Sequence, residues 1–360
     1  MSKTWEDQSA KIRKGEELNI TNLEHYLKKH LPDAEGALTI EQFPSGFSNL
    51  TYLLKMGEKQ YVLRRPPFGA NIKSGHDMGR EYQILNALSK TYPKAPKPYL
   101  YTEEESIIGS PFYVMERVHG VILRSKMPKE MLPETAIMQG IAKGLVDTFV
   151  ELHDVDYQAV GLGDLGRPEG YVERQIKGWT KRYFKAKTDE VPFIEKAAEW
   201  LNANMPMESG AALIHNDFKY DNLVLDRHDW TKVIAVLDWE MSTLGDPLMD
   251  LGTSLGYWVN RNDPEWMQQL ALSPTVLPGN PSRGELVERY ARKSGREVGN
   301  VVFYYVYGIF KVAVIIQQIY YRYKKGFTRD ERFANLIDGV RGLGAMAMQA
   351  VTKRRIDDLF

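Results

Sequence analysis

The chain of 360 residues contains no cysteine. This absence excludes disulfide bonds, thiolate zinc sites, iron–sulfur clusters and a cysteine nucleophile. Basic residues (Lys plus Arg) and acidic residues (Asp plus Glu) each number 47, so the formal net charge is zero. Without a global excess of positive charge, we expect neither a nucleic-acid partner nor a membrane partner, and any recognition by charge must be local.

Long uncharged apolar segments are also lacking. The most apolar stretch, 301–323, is interrupted by Lys311. Because it does not reach about 18 uninterrupted apolar residues, we predict a buried helix rather than a membrane span. The N-terminal segment 1–18 is charged and has no apolar core, so we expect no secretory signal and a cytoplasmic protein.

Strand-like alternation comes first along the chain and helical periodicity follows, an order typical of α+β proteins. We predict an N-lobe of residues 1–117, with an N-terminal helix, a five-stranded antiparallel sheet and one further helix. Residues 118–360 are predicted to form a mostly helical C-lobe that contains a short β hairpin. The predicted strands are 38–43, 51–55, 60–65, 99–102, 112–118, 223–225 and 233–237, and the predicted helices are 22–31, 77–88, 134–152, 171–186, 193–202, 250–259, 283–294 and 301–323.

The hairpin carries the densest group of candidate catalytic residues. If its strands pair about Trp230, Asn222 falls opposite Asp238, and directly opposed residues lie about 4.5–5.5 Å apart. An amide oxygen and a carboxylate at that separation can share one Mg²⁺ ion. Asp217 lies on the loop before Asn222 and adds a second carboxylate. The simpler interpretation is a solvated turn rich in Asp and Asn.

Three motifs in this order resemble those of kinases. Residues 215–222 (HNDFKYDN) are similar to the kinase catalytic loop H-x-D-x-x-x-x-N. Residues 237–240 (LDWE) resemble the I/L-D-W segment of the aminoglycoside phosphotransferase and choline kinase-like family, and 245–251 (GDPLMDL) resemble its G-D-P-x-x-D-L/F motif. The resemblance extends from about Leu38 to the last helices. It implies a two-lobe, protein-kinase-like fold and a phosphotransferase that moves the γ-phosphoryl group of ATP, with Mg²⁺, to a hydroxyl of a small molecule.

The resemblance implies a role for each matching residue. Asp217 would orient or deprotonate the acceptor hydroxyl, and Lys219 falls where many protein kinases carry a lysine that contacts the γ-phosphate. Asn222 and Asp238 would hold Mg²⁺ on the ATP phosphates. His215 would be a buried scaffold of the loop rather than a base.

Asp250, in the third motif, has two interpretations that the sequence does not separate. Its carboxylate either holds the catalytic loop through backbone N–H groups or caps the N-terminus of the helix that follows.

Candidate nucleotide contacts lie in the N-lobe. Arg64, in the strand YVLRRPP, matches the family's cation for the α- and β-phosphates, although Lys is more usual there, and Glu81 is its expected partner. Strand alternation sends Arg65 to the opposite face.

Two further N-lobe segments match family positions that contact ATP. The turn that contains Gly46 and Ser48 is the expected cover of the phosphates, although by itself it would be interpreted as a hairpin loop. The strand with Met115, Glu116 and Val118 resembles the segment that contacts adenine, and it is equally an ordinary buried strand.

The sequence says less about the molecule that accepts the phosphoryl group than about the type of reaction. Residues 174–187 contain six basic side chains and no acidic one, and Arg174, Lys177 and Lys181 share one face of the predicted helix. That face is either solvated or a site for an anionic acceptor. The segments 64–85 and 114–124 look most like the family branch that is fused to acyl-CoA dehydrogenases, which implies a hydroxyacyl-CoA-type acceptor.

Three alternative functions stay open at this point. An aminoglycoside or other antibiotic kinase would need an acidic site for a polycation, which this basic helix does not offer. A protein kinase is opposed by the D-W-E segment and by the short distance to the next motif, which leaves no room for an activation segment. A nucleotide-binding pseudoenzyme is opposed by the intact Asp217, Asn222 and Asp238. The sequence does not predict the oligomeric state.

Overall fold

The structure, a computed structural model, describes residues 6–32, 34–44, 49–67, 76–125, 127–271 and 273–360. In chain order the strands are β1 (Leu38–Gln42), β2 (Leu50–Met56), β3 (Lys59–Arg65), β4 (Pro98–Thr102), β5 (Phe112–Glu116), β6 (Ala212–Ile214), β7 (Leu223–Leu225), β8 (Val233–Val236) and β9 (Thr243–Gly245). The helices are α1 (Ile20–His30), α2 (Met78–Leu88), α3 (Glu105–Ile108), α4 (Thr135–His153), α5 (Tyr171–Ala186), α6 (Pro192–Ala203), α7 (Pro247–Tyr257), α8 (Glu265–Gln269), α9 (Arg283–Ser294), α10 (Val301–Lys324) and α11 (Leu336–Lys353).

The chain forms two compact units. The first comprises Met1–Ile122, Gln158–Leu162 and Leu223–Met241, and the second comprises Leu123–Tyr157, Gly163–Asn222 and Ser242–Phe360. The end of the first segment lies close to the predicted boundary at residue 117. The β7–β8 hairpin, in contrast, belongs to the first unit. From the sequence it was predicted to lie in the C-lobe, residues 118–360.

The first unit is organised around a five-stranded antiparallel sheet of order β1-β2-β3-β5-β4. The predicted antiparallel meander of the first three strands is confirmed by the pairing of β1 with β2 and of β2 with β3. One face of the sheet is covered by α1, whose Leu23 and Leu27 are fully buried in a cluster with Leu54, Leu63 and Phe112. Burial of this many apolar side chains is the main favourable contribution to the stability of the unit.

The β7–β8 hairpin differs from the prediction by one position in register. Leu223 lies opposite Val236, and the pairing is irregular between Val224 and Leu225. The symmetric count about Trp230 was therefore wrong, because an irregular register changes which residues face each other. Beside the hairpin, the backbone of Val121 pairs with that of Leu225, with N···O distances of 2.9 and 2.8 Å.

The second unit is mostly helical and is built around α10, which packs against α5, α6, α7 and α11. This helix is long and apolar enough by composition to cross a membrane, but 72% of its most apolar window is buried inside the protein, as expected for a core helix. Lys311 and Gln317 are polar residues of α10 that are also buried.

The contact between α7 and α10 is made through glycine. A Cβ added to Gly308 would lie 1.8 Å from the carbonyl oxygen of Gly252, and one added to Gly256 would lie 2.5 Å from the carbonyl carbon of Gly308. The two helices therefore approach each other backbone to backbone, at a separation that no larger residue permits.

We expect Gly308→Ala to lower the free energy of unfolding by about 2 kcal/mol, because the new methyl group must push α7 and α10 apart. Gly178→Ala, in the middle of α5, is the matched control, since its Cβ would meet its nearest neighbour at 3.5 Å. The control is expected to gain up to about 1 kcal/mol from higher helix propensity. Denaturant unfolding of both variants measures the difference, and equal effects would contradict the backbone contact.

Candidate active site

The loop that joins β6 to β7 carries the predicted catalytic residues. His215 follows β6 directly, and a 3₁₀ turn, Tyr220–Asn222, leads into β7. Next to His215, Asn216 has a left-handed backbone with φ of 66°. This conformation is uncommon for a residue other than glycine, so contacts with the surrounding residues must maintain it.

Three of the predicted residues meet at one carboxylate. The Lys219 Nζ donates a hydrogen bond to Asp217 Oδ2. The Asn222 Nδ2 donates to the same Oδ2 at 2.9 Å and to the Asp217 carbonyl oxygen at 2.8 Å. Because its amide nitrogen faces Asp217, Asn222 has its Oδ1 as the atom that can bind a cation.

Asp250, on α7, supports this loop. Its carboxylate accepts the backbone N–H of His215 at 2.6 Å and that of Asn216 at 2.7 Å. The N-cap of α7 is Asp246, whose Oδ1 accepts the backbone N–H of Leu248 at 2.8 Å. Of the two roles that the sequence left open for Asp250, these hydrogen bonds match the one that holds the loop.

Buried histidines surround the Asp250 carboxylate. The Nε2 of His153 lies 3.2 Å from Asp250, and its Nδ1 lies 2.7 Å from the Tyr290 hydroxyl. Burial alone would raise the pKa of Asp250, but the hydrogen bond from His153 and the electrostatic interactions with His153 and His215 outweigh it, so that this pKa lies below its usual value. His215 is itself fully buried, and its Nδ1 accepts the backbone N–H of Asp217 at 3.3 Å, a scaffold contact.

In the first unit, Arg64 lies at the centre of three carboxylates. Its Nη1 donates to Glu81 at 2.7 Å, and its Nη2 donates to Asp238 at 2.9 Å and to Glu240 at 3.3 Å. Burial disfavours the charge, but the carboxylates, with Glu81 the strongest, raise the pKa of Arg64 well above its usual value. Arg65 points away from this group and donates to the carbonyl oxygen of Ile108 at 2.9 Å, as strand alternation predicted.

The residues proposed as metal ligands offer oxygen donors that suit Mg²⁺. Asp238 is one of three carboxylates that share a single guanidinium, so its surroundings carry excess negative charge. Asn222 offers the Oδ1 described above. Mg²⁺ commonly binds one or two protein oxygens and completes an octahedron with water and phosphate oxygens, so the donor types fit that ion.

The other residues predicted to contact the nucleotide lie in the turn before β2 and in β5 and the segment after it. Gly46 and Ser48 lie outside the described residues. Asn49, directly before β2, donates from Nδ2 to Glu240 at 2.6 Å. In the segment predicted to contact adenine, Met115 is buried and the N–H of Glu116 donates to the Lys97 carbonyl at 2.9 Å. Because this N–H already has a partner within the unit, adenine recognition would fall to later groups such as those of Val118, which is half-buried.

Known proteins match the chain in sequence and in structure. The model of the "Phosphotransferase enzyme family" (APH) matches residues 39–286. The chain is 36% identical over 352 residues to human acyl-CoA dehydrogenase family member 11, covering 95% of this chain and 44% of that protein. It is 31% identical to the crystal structure of a candidate aminoglycoside phosphotransferase from Ralstonia eutropha, with a TM-score of 0.80, covering 94% of this chain and 99% of that one.

The chain belongs to the APH phosphotransferase family. The family and the protein-kinase-like α+β fold predicted from the three motifs are thereby confirmed. The GDP complex of aminoglycoside 2'-phosphotransferase-IIIa shares this fold, with a TM-score of 0.63 at 15% identity, covering 91% of this chain and 99% of that one. This APH chain spans less than half the length of the human relative, 44%.

The basic residues of α5, which are candidates for acceptor binding in this APH phosphotransferase, have mixed surroundings. The apolar face predicted to pack inward is buried, including Ile176 and Trp179. On the outer face Arg174 donates to the carbonyl oxygens of Glu169 and Arg167, and Lys177 pairs with Glu173. The exposed basic side chains of α5 are Arg174, Lys177, Lys181, Arg182 and Lys185.

Glu240 and Lys311 are among the described residues with site contacts that the sequence did not reveal. Glu240 contacts both Arg64 and Asn49, and its position directly after the D-W pair was the signal that could have revealed it. Lys311 contacts the loop at Asn216, and the signal was a lone lysine in an otherwise apolar helix.

We expect Glu81→Gln to lower the free energy of unfolding by about 3 kcal/mol, because Arg64 would lose the most deeply buried of its three carboxylate partners. The control is Glu41→Gln in the same unit, where Glu41 and Lys55 form a half-exposed pair. Losing an exposed pair costs about 1 kcal/mol or less. Denaturant unfolding compares the two, and a cost for Glu81→Gln no greater than that of the control would contradict the assigned burial of the pair.

Proposed function

We propose that the chain transfers the γ-phosphoryl group of ATP, in the presence of Mg²⁺, to the hydroxyl of a small anionic metabolite of the hydroxyacyl-CoA type. The observation that carries the phosphoryl-transfer part is the group of Asp217, Lys219 and Asn222 around one carboxylate. That group combines an acceptor for a proton, a cation for phosphate charge and an amide oxygen for a metal.

In the proposed reaction, the acceptor oxygen attacks the γ-phosphorus and the bond from that phosphorus to the β,γ-bridging oxygen breaks, which releases ADP. The proton of the hydroxyl passes to the Asp217 carboxylate. Lys219 stabilises the charge on the transferred group. Asn222 and Asp238 are the proposed ligands of Mg²⁺, which neutralises phosphate charge when it is bound.

Arg64 is proposed to contact the α- and β-phosphates. A guanidinium offers two parallel donors to phosphate oxygens, which an ammonium does not. The Arg64 Nη1 donates to Glu81 Oε1 at 2.7 Å, so the guanidinium is oriented before a nucleotide binds. Its bonds to Asp238 and Glu240 are the ones that an incoming phosphate would replace.

We expect Asp217→Asn to lower kcat by at least about 100-fold, which is the usual contribution of a general base. The affinity for ATP should change little, because Asp217 is assigned to the acceptor. Asp164→Asn, an exposed carboxylate of the same unit, is the control and should keep wild-type activity. Steady-state kinetics and ATP titration provide both quantities. An Asp217→Asn protein with near wild-type kcat would exclude this residue as the base.

The anionic acceptor is supported by the exposed positive charges on α5. Lys181 and Lys185 are exposed on this helix, and residues 174–187 contain no acidic side chain. A coenzyme A thioester carries several phosphate charges, which such lysines would neutralise. The human relative that includes an acyl-CoA dehydrogenase in its name points to the same class of metabolite.

Acceptor assays separate this proposal from an antibiotic kinase. We expect ATP-dependent phosphorylation of 4-hydroxyacyl-CoA and none of kanamycin. The double variant Lys181→Glu/Lys185→Glu should raise the KM for the thioester by about tenfold or more, since charge-assisted hydrogen bonds contribute about 1.5–3 kcal/mol. Lys143→Glu, an exposed lysine on α4, is the control. Turnover of kanamycin alone would reject the anionic acceptor.

A further inference from the structure

Lys311 is a buried cation in the middle of α10. Its side chain is 1% exposed, and its Nζ donates to the carbonyl oxygen of Asn216 at 2.9 Å. The Nζ also lies 3.5 Å from the Thr253 hydroxyl and 5.6 Å from the centre of the Trp179 ring. A buried ammonium is costly unless nearby groups stabilise it, so this placement calls for a specific reason.

The residue that Lys311 contacts has a left-handed backbone. Asn216, with φ of 66°, has a partner at three of its polar atoms: its N–H donates to Asp250, its carbonyl accepts from Lys311 and its Oδ1 accepts from the Tyr171 hydroxyl at 3.1 Å. These partners come from α7, α10 and α5. A strained conformation persists when its surroundings determine it in several ways at once, and that condition is met here.

The carbonyl of Asn216 and the N–H of Asp217 belong to one planar peptide group. Lys311 holds the oxygen of that group, and the Nδ1 of His215 accepts its N–H at 3.3 Å. Hydrogen bonds at both polar atoms restrain rotation of the plane, and its orientation sets the direction in which the Asp217 side chain leaves the backbone. We propose that Lys311 is a positioning residue, whose ammonium fixes the peptide before Asp217 and so aims the catalytic carboxylate.

The charge of Lys311 fits this role. Burial lowers its pKa to about 8, and the charges of Asp250 and Asp217 oppose that shift. A charged donor forms a stronger bond to a carbonyl than a neutral one, which suits a contact that must hold a strained backbone. Two residues on the inner face of α5 contact these groups: the Trp179 ring lies near the Lys311 ammonium, and the Tyr171 hydroxyl donates to Asn216. The helix that bears the proposed acceptor site is therefore linked to the peptide that carries the base.

A matched control for Lys311 exists on the same helix. Gln317 is buried like Lys311, and its Nε2 donates to a backbone carbonyl, that of Ala186, at 2.8 Å. Lys311→Met and Gln317→Met each remove one buried donor from α10 and leave one carbonyl without that donor. The two substitutions differ in which carbonyl loses its donor: that of Asn216, directly before Asp217, or that of Ala186, at the end of α5.

The two variants are compared in three measurements. For Lys311→Met we expect kcat to fall at least tenfold, the KM for ATP to stay within about twofold, and hydrogen exchange at the amides of 215–217 to accelerate. For Gln317→Met we expect a similar loss of Tm with kcat and exchange at 215–217 close to wild type. If Lys311→Met does not fold, Lys311→Gln, which keeps a neutral donor, is measured in its place, with an intermediate loss of kcat expected.

Exchange and activity report on different parts of the inference, which rests on the proposed function of Asp217. Unchanged exchange at 215–217 in the Lys311 variant, or an equal loss of kcat in the Gln317 variant, overturns the positioning role. Absence of phosphoryl transfer by the wild-type protein would instead overturn the proposed function, while the exchange comparison would still decide whether Lys311 holds the loop.

Discussion

Asp250 keeps a negative charge where water does not reach, because backbone N–H groups of the catalytic loop and the imidazole of His153 surround its carboxylate. A buried carboxylate without such donors would be neutral or strongly destabilising. The ionised state of Asp250 therefore depends on the hydrogen bonds that the loop donates, and the conformation of the loop depends on the carboxylate that accepts them. The left-handed backbone of Asn216 and the position of Asp217 follow from this mutual requirement.

The two units show different solutions to placing charged groups. In the first, Arg64 is a buried cation shared by three carboxylates, so the local balance is negative. In the second, Lys311 and the Asp250 carboxylate contact successive polar groups of one loop. In both arrangements each buried charge has several polar partners rather than one, and these contacts together offset its desolvation cost.

Much of the site could be predicted because motifs specify residue types at fixed spacing. The choice of Arg64 over Arg65 followed from strand alternation, and its partner Glu81 followed from the family resemblance. Asp217, Lys219 and Asn222 followed from one loop motif. The hairpin register could not be predicted, because the irregularity at Val224 and Leu225 leaves no signal in residue type. The helix α11 was missed for another reason. Its glycines lower helix propensity, yet Gly344 is needed where a Cβ would lie 2.9 Å from Ile194, so packing overrides propensity.

The glycine contact between α7 and α10 has a consequence for the loop above it. Asp250 lies half a turn before Gly252 on one helix, and Lys311 lies just under one turn after Gly308 on the other. The distance between Asp250 and Lys311 is thus set by the contact between the main chains of α7 and α10. Main-chain contacts have no rotamers to choose among, so this part of the scaffold has little side-chain entropy to lose on folding and little freedom to drift afterwards.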